Sequence, residues 1–575
     1  MSTQIVTPSD ESDAPHSLIA TRGHQMFPQL KDHEIERMRR FGQVQSWSEG
    51  QLLVESGKVG PGMIIITGGQ VEMSYLDAHG KRHKIVDHTP GHFIGEVGQL
   101  SGQRALVNAL ATSDVEGIVI SPEGLRAVMV AEAEAGERIM RALILRRVGL
   151  IETGGGGPVL VGRVNHPKLI SLQNFLHRNG HPHTTLDCSS APEAIALVVR
   201  VSPDVAEMPL VVCPDGTILH DPTEAQLANT LGLLPSFNEN DIYDVAVVGA
   251  GPGGLAASVY AASEGLSVLT LDCRAPGGQA GASARIENYL GFPTGISGMA
   301  LAGRALVQAE KFGAQLAIPI QVSHLDCSTT PPVLTFSDGT RVRARTVVIA
   351  CGATYRRPRF RNLCTYEGKG IYYWASPVEA RLCAREEVAI VGGGNSAGQA
   401  VVFLASHARH VHLLIRGPSL AASMSKYLID RIASLPNVTL HAHTEVTGVD
   451  GDETGLKTVH WRKRGEEEPT EHAIRNLFLF TGADPNTSWL KDCAVTTDEN
   501  GFVLTGEKAG IGLDRSCVSL ETSVPGVYAI GDVRSGSTKR VAAAVGEGAA
   551  VVAQIHQYIA ALPVEQQAAV AEPVC

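Results

Sequence analysis

A chain of 575 residues has room for about four domains at the usual ~150 residues each. Its formal charge of −11, with no long basic run, excludes a general nucleic-acid binder. No uninterrupted apolar run reaches the ~20 residues of a membrane span. The leader MSTQIVTPSDESDAPHS is polar and acidic rather than a signal peptide, so a soluble, cytoplasmic protein is expected. The ten cysteines are Cys188, Cys213, Cys273, Cys327, Cys351, Cys364, Cys383, Cys493, Cys517 and Cys575. No two stand three apart, so neither a zinc ribbon nor a local dithiol is expected, and no metal site is assigned. Most should be buried as small hydrophobes, with Cys575 at a mobile, exposed end.

Residues 1 to about 20 read as a disordered leader. From Gln45 to about Val119, short β-rich runs such as QLLVESG and GMIIITGGQVEMSYLD are punctuated by glycine, the pattern of a small β-barrel or jelly roll. One helical stretch, EGLRAVMVAEAEAGERIMRALILRRVGLIE, follows at the 3.6-residue period and completes a domain of residues 25–150. The glycines of TGGGGP, residues 153–158, predict a flexible hinge. Residues 155–235 then read β-α-β-α-β-β-α, a small α/β unit.

From Asp241 the pattern becomes glycine-rich βαβ. In DVAVVGAGPGGLAASVYAASEGLSVLTLD a strand meets Gly249-x-Gly251-x-x-Gly254, a helix and a second strand ending at Asp272. Gly249 permits the turn, Gly251 lets the backbone approach a pyrophosphate, and Gly254 allows helix and strand to touch. Asp272 is placed to take an adenosine ribose. A second fingerprint, VAIVGGGNSAGQAVVFLASHARHVHLLIR, carries Gly392, Gly394 and Ala397, with Arg416 where an acid would favour a free ribose. Arginine accommodates a 2′-phosphate, which favours NADPH over NADH. Near the end, VYAIGDV sets Asp532 after an apolar strand, a polyol-binding position. The helix that opens at Arg540 and Val541 offers its N-terminus to a flavin carbonyl edge.

These pieces resemble one family. Residues 240 to 560 are similar to the low-molecular-weight thioredoxin reductases through GAGPGGLAA, GGQAGASARIENYLGFPTGISGMAL, GGGNSAGQA, FTGADPNT and VPGVYAIGDV. The resemblance implies FAD at Gly249, Gly251, Gly254, Asp272, Gly278, Gln279, Asn288 and Asp532, and NADPH around Gly392, Gly394, Asn395 and Ser396. It also implies a homodimer, an FAD domain split over 240–355 and 484–565, an NAD(P)H domain at 356–483, and hinges near ACGATY and FTGADP. Two departures stand out. The family's dithiol falls on Trp374 and Pro377, which makes Trp374 the candidate side chain for the flavin face. The basic 2′-phosphate motif is thinned to Gly417 and Pro418 after Arg416, with further basic residues only at Lys426 and Arg431.

The N-terminal domain resembles cyclic nucleotide-binding domains through PGHFIGEVGQLSGQRALVNALA. The resemblance implies Glu96 for a ribose hydroxyl and Arg104 for the cyclic phosphate, whose oxygens suit the guanidinium fork. The cassette is a residue short and Ala105 lacks a hydroxyl. Residues 155–235 look like a thioredoxin or glutaredoxin fold, with Pro209 as its cis-proline. The active position reads GRVNHPKL, without cysteine, so a redox-dead adaptor is expected and His166 is read as structural. The expected whole is therefore a multidomain chain: a jelly-roll domain, a thioredoxin-like domain and two Rossmann-like domains.

Two classes of function remain open from sequence. One is an enzyme in which NAD(P)H reduces FAD, and the flavin passes electrons to thioredoxin, to a ferredoxin- or flavodoxin-type carrier, or to a quinone or small oxidant. Thioredoxin would need a dithiol, and Cys383 or Cys575 alone cannot supply one. The other is a cyclic-nucleotide-responsive flavoprotein sensor with little turnover.

Overall fold

The computed structural model describes residues 18–77, 80–201, 208–238, 240–512 and 515–563. It divides into two compact units, Met1–Gly156 and Gly157–Cys575.

In the first unit the glycine-punctuated strands form two antiparallel four-stranded sheets, as the sequence pattern requires of a jelly roll. One contains Gln43–Trp47, Val115–Ile120, Met63–Gly68 and Phe93–Ile94. The other contains Leu52–Val54, Asn108–Ala111, Val71–Leu76 and Arg82–His88. Ile64, Ile66, Val71, Ile94, Ala109 and Ala111 fill the space between them. Within the region read as leader, a helix begins at Leu18.

The single long helix expected after Ile120 is two. Ser121 caps Pro122–Ala131 by accepting the Gly124 N–H at 3.1 Å, with Pro122 in the first turn where its missing donor costs nothing. The chain then leaves helical geometry at Glu132 (φ −118°, ψ 76°) and resumes at Ala133–Thr153. Glutamate is a good helix former. What breaks the helix is tertiary, since the buried Glu132 carboxylate pairs with Arg37 at 2.8 Å and Arg40 at 3.2 Å. Around the expected hinge, a Cβ on Gly156 would lie 2.0 Å from Leu106 O, and one on Gly157 would lie 1.8 Å from Pro182 O, so these glycines permit close backbone approach, each within its own unit.

The second unit begins with the small α/β layer, whose strands lie in the order Thr184–Asp187, Val159–Gly162, Leu210–Val212, Ile218–His220. The first pair is parallel and the others antiparallel, and Met208–Pro209 is cis. This is the thioredoxin arrangement expected.

A seven-stranded sheet follows, built around the parallel ladder of Ile242–Val248 with Val268–Leu271 and Arg341–Ile349. A third, five-stranded parallel sheet is centred on Glu387–Val391. The near-continuous apolar runs VAVV and VAIV mark strands covered on both faces. Ala353–Tyr355 and Ala483–Pro485 pair antiparallel where the chain passes between the two Rossmann-like domains. Arg356 and Asp484 add an ion pair at 2.7 Å. Among the described residues no helix is long and apolar enough to cross a membrane.

Candidate functional site

In the first glycine turn, Gly249 has φ +116°, and a Cβ there would lie 2.3 Å from Ala350 O. Gly251 caps the helix Pro252–Ser263 and has open space where a Cβ would stand. Gly254 has none, since a Cβ would lie 1.8 Å from Gly249 O. Turn, open approach and helix–strand contact are thus separate tasks of the three glycines. Gly278 closes on the same opening: a Cβ on it would be 3.2 Å from Gly251 Cα, and the Gly277 N–H donates to Ala250 O at 2.7 Å. An open backbone at a helix N-terminus, whose first N–H groups have no partner within the helix, fits a pyrophosphate.

Asp272 does something the sequence does not announce. Its Oδ2 accepts the Ala250 N–H at 2.9 Å, and its Oδ1 accepts those of Arg274 at 2.8 Å and Ala275 at 3.1 Å. The short side chain folds back on its own loop and braces the turn, while burial holds its carboxyl above the ordinary range. Gln279 and Asn288 are exposed, and the Gln279 amide donates to Ala353 O, joining this loop to the crossing strand.

Asp532 follows the strand Val527–Ala529. Burial raises its pKa, and the Lys539 ammonium opposes that rise. Beside it, the Gly531 N–H donates to Glu547 at 2.6 Å. Arg540 and Val541 open the helix Val541–Ala561. That helix lies against Pro252–Ser263 through glycines: a Cβ on Gly548 would be 2.4 Å from Gly253 O, and one on Gly253 would be 3.1 Å from Ala544 O. The N-terminal turns of the two helices are therefore neighbours.

The second turn repeats the first. Gly392 has φ +148°, with Phe480 O 2.6 Å from a Cβ, and Gly394 caps Asn395–Ala405 with open space around it. Ala397, fully buried, takes the third position. Asn395 accepts the Ser425 N–H at 2.7 Å. Arg416 is exposed past the strand His410–Leu414. Lys426 and Arg431 are paired with Asp430 and, at 2.7 Å, Glu287.

Tyr355, on the crossing strand, faces the second turn. It shares a hydrogen bond with Ser396 and feels the charge of Asp532, and burial is the first cause of its raised pKa. Its ring meets Phe480 edge-on at 5.3 Å.

Trp374 donates its indole N–H to Glu379 at 3.0 Å and lies under the Arg274 guanidinium, 5.9 Å from the ring centre. Glu379 is 1% exposed. It also accepts the Ser376 N–H and hydroxyl in a capping box on the helix Pro377–Leu382. Cys383 is fully buried, with its thiol pushed up to about 12 by burial. Cys327 and Cys351 are raised as far for the same first reason. Thiols held protonated are poor nucleophiles. Cys575 lies outside the described residues, and among these no group of His, Cys, Asp or Glu is arranged to hold a metal.

In the N-terminal domain Glu96 leads the short turn Val97–Ser101, but both its oxygens are held by Arg147, at 2.7 and 2.9 Å. Arg104 bridges to Val59 through its backbone. The neighbouring Arg146 is buried and donates to Met26 O, Phe93 O and Gly95 O, and burial draws its pKa down to about 9. Sequence reading missed Arg147, Glu379 and Tyr355. Only Glu379 carried a local signal, the Ser-x-x-Glu capping pattern.

Residues 243–548, just over half the chain, match the model of the pyridine nucleotide-disulphide oxidoreductases, and residues 44–132 match that of the cyclic nucleotide-binding domain. The chain is 32% identical over 358 residues to the NADPH-dependent thioredoxin reductase 3 of Arabidopsis thaliana, covering 60% of this chain and just under two thirds (65%) of that protein. It is 31% identical to the thioredoxin reductase of Mycoplasmopsis pulmonis, covering 54% of this chain and 95% of that enzyme. The crystal structure of Lactococcus lactis thioredoxin reductase superposes with a TM-score of 0.51 at 25% identity, covering 56% of this chain and all of that one. With both open glycine cradles inside the matched residues, the chain belongs to the pyridine nucleotide-disulphide oxidoreductase family, as a thioredoxin reductase-like flavoprotein carrying a cyclic nucleotide-binding domain.

Proposed function

We propose that the protein takes reducing equivalents from NADPH at the Gly392–Ser396 turn and delivers them from the Gly249–Gly254 site to an acceptor without an internal Cys-x-x-Cys relay. The observation that carries this reading is the pair of open glycine cradles in a chain where no two cysteines stand three apart. FAD, when bound, supplies the centre that accepts hydride and releases electrons. The chain's own work is positional. Gly251, Gly278 and the helix N-terminus at Pro252 hold the pyrophosphate. Asp272 braces the turn around it, and Asp532 offers its carboxylate to the polyol, with Arg540 and Val541 at the flavin edge. Gln279 and Asn288 complete the lining.

Gly394, Asn395 and Ser396 receive the second nucleotide. Arg416 favours a 2′-phosphate, because no carboxylate follows that strand and the other basic groups are already paired. Trp374, aligned with one of the family's sulfur positions, is read as a wall on the flavin face, its ring fixed by Glu379 and Arg274. A one-electron protein carrier or a quinone is the acceptor class this arrangement favours. A homodimer and a cytoplasmic setting belong to the same reading. The N-terminal domain is read as its modulator, Glu96 and Arg104 facing a cyclic nucleotide once Arg147 yields.

The test is anaerobic stopped-flow reduction of the holoprotein by NADPH and by NADH. Thioredoxin, a ferredoxin and a quinone are then offered in turn, with and without cyclic AMP or cyclic GMP. Rapid bleaching by NADPH and reoxidation by a carrier or quinone, but not by thioredoxin, is the expected result. Fast reoxidation by thioredoxin would overturn the direct route. Absence of reduction by either nucleotide would favour a sensor.

A further inference from the structure

The thioredoxin-like domain has no cysteine at its active position, yet its first helix is placed against both nucleotide domains. Pro167, at the start of that helix, lies by Gly368, where a Cβ would be 3.7 Å from the proline. Asn174 donates to the buried Glu379 at 3.2 Å, the carboxylate that also holds Trp374. At the helix end, Arg178 donates to Gly278 O at 2.7 Å, and Asn179 donates to Arg274 O at 3.0 Å. Residues 167, 174 and 178 are spaced by 7 and 4, which puts them on one stripe of an α-helix. Leu169, Leu172, Phe175 and Leu176 are buried in the domain's own core.

One stripe therefore grips the loop that closes the first cradle and, separately, the segment that carries Trp374. The Arg178 Nε is buried with no acceptor among the described residues, and Asp272 lies within its electrostatic range. A charged donor held beside an anion cradle with bonding capacity to spare is costly unless a ligand oxygen uses it.

We propose that the helix Pro167–Arg178 is a positioning element of the flavin site. Through Asn174, Arg178 and Asn179 it pins the Arg274–Gly278 loop to the Trp374–Glu379 segment and directs the Arg178 charge toward the cofactor's phosphates. The thioredoxin fold serves here as a brace instead of a dithiol carrier. This rests on the reading that FAD occupies the Gly249–Gly278 cradle.

The experiment uses full-length holoprotein with Asn174→Ala, Arg178→Ala, Arg178→Lys and, as control, Ser171→Ala, an exposed position on the same helix whose hydroxyl donates to Glu224 of its own domain. FAD release is followed by the recovery of flavin fluorescence, and amide exchange is measured on the 274–279 and 374–379 segments. Arg178→Ala is expected to speed FAD release about tenfold, the effect of losing one charge-assisted contact, and Arg178→Lys to recover part of it. Asn174→Ala is expected to raise exchange in both segments, and Ser171→Ala to change neither readout. FAD release and exchange within about twofold of the parent in both alanine variants, with melting curves showing that they fold, would overturn the proposal. If NADPH fails to reduce the parent protein, the catalytic reading falls. FAD retention and exchange still decide the brace.

Discussion

The two glycine turns are the same device finished in two ways. Each begins with a glycine in the left-handed region pressed against a carbonyl, Ala350 O in the first and Phe480 O in the second. Each places its second glycine in open space at a helix cap. They diverge afterwards. The first needs a glycine at its third position because Gly249 O leaves no room, whereas the second houses the methyl of Ala397. The first ends in a carboxylate that braces its own loop, and the second ends in an exposed arginine. The common part suits any dinucleotide pyrophosphate; the ends decide which one and how firmly the site is built.

The sharpest way to break this comparison is at the third position. Gly254→Ala drives a methyl into Gly249 O and should cost about 3 kcal/mol with loss of bound flavin, while Ala397→Gly should cost under about 1 kcal/mol. Melting curves and the flavin absorbance of purified protein measure both. Equal costs would mean the two turns are packed alike.

At the second position the expectation reverses. Gly251→Ala and Gly394→Ala meet nothing within 4 Å among the described residues. The apoprotein melt should therefore hold, while FAD affinity in one and the KM for NADPH in the other worsen by about tenfold or more. An unchanged KM in Gly394→Ala would place NADPH elsewhere.

At the ends, Arg416→Glu should move the ratio of kcat/KM for NADPH over NADH by about tenfold toward NADH, whereas Asp272→Asn should loosen FAD without touching that ratio.

The smallest effect concerns pH. Next to the second turn, the Ile415 N–H donates to His441 O. His441 lies in a cluster with His412, Trp461 and His472. Burial, then the neighbouring imidazoles, lowers its pKa to about 4. The unfolded chain binds this proton near 6.5 and the folded one only near 4, so the stabilising contribution is full above pH 6.5 and is lost as the pH falls toward 4. A His441→Phe variant should show a shallower fall in melting temperature across that window, and an identical slope would remove His441 as the cause.

What was readable in advance follows from pattern. Gly249 and Gly392 press on carbonyls 101 and 88 residues away, yet the spacing of Gly249, Gly251, Gly254, Gly392, Gly394 and Ala397 within two short turns states the fold. The strand–helix order of the thioredoxin-like layer was legible for the same reason. The break at Glu132 was not, because its cause is Arg37 and Arg40, some 90 residues distant. The closing of Glu96 by Arg147 spans 51 residues, and the bond from Asn174 to Glu379 spans 205. No local pattern announces such pairs. Asp272 was identified as the residue at the end of the strand, yet its backbone partners depend on the loop that the sequence leaves unspecified.

The grip of Arg147 on Glu96 has a consequence for dose. Glu96 of the cassette and Arg147 of the following helix already satisfy each other, with 8% and 11% of their side chains exposed, so a nucleotide reaching for Glu96 would compete with Arg147. A nucleotide that needs Glu96 can bind only the fraction of molecules in which the pair has parted. Its apparent dissociation constant is the intrinsic one divided by that fraction. With the pair open about one time in a hundred, a micromolar site would respond only to about a hundred times more ligand. An Arg147→Ala chain, relieved of that competition, would answer at concentrations to which the parent is deaf.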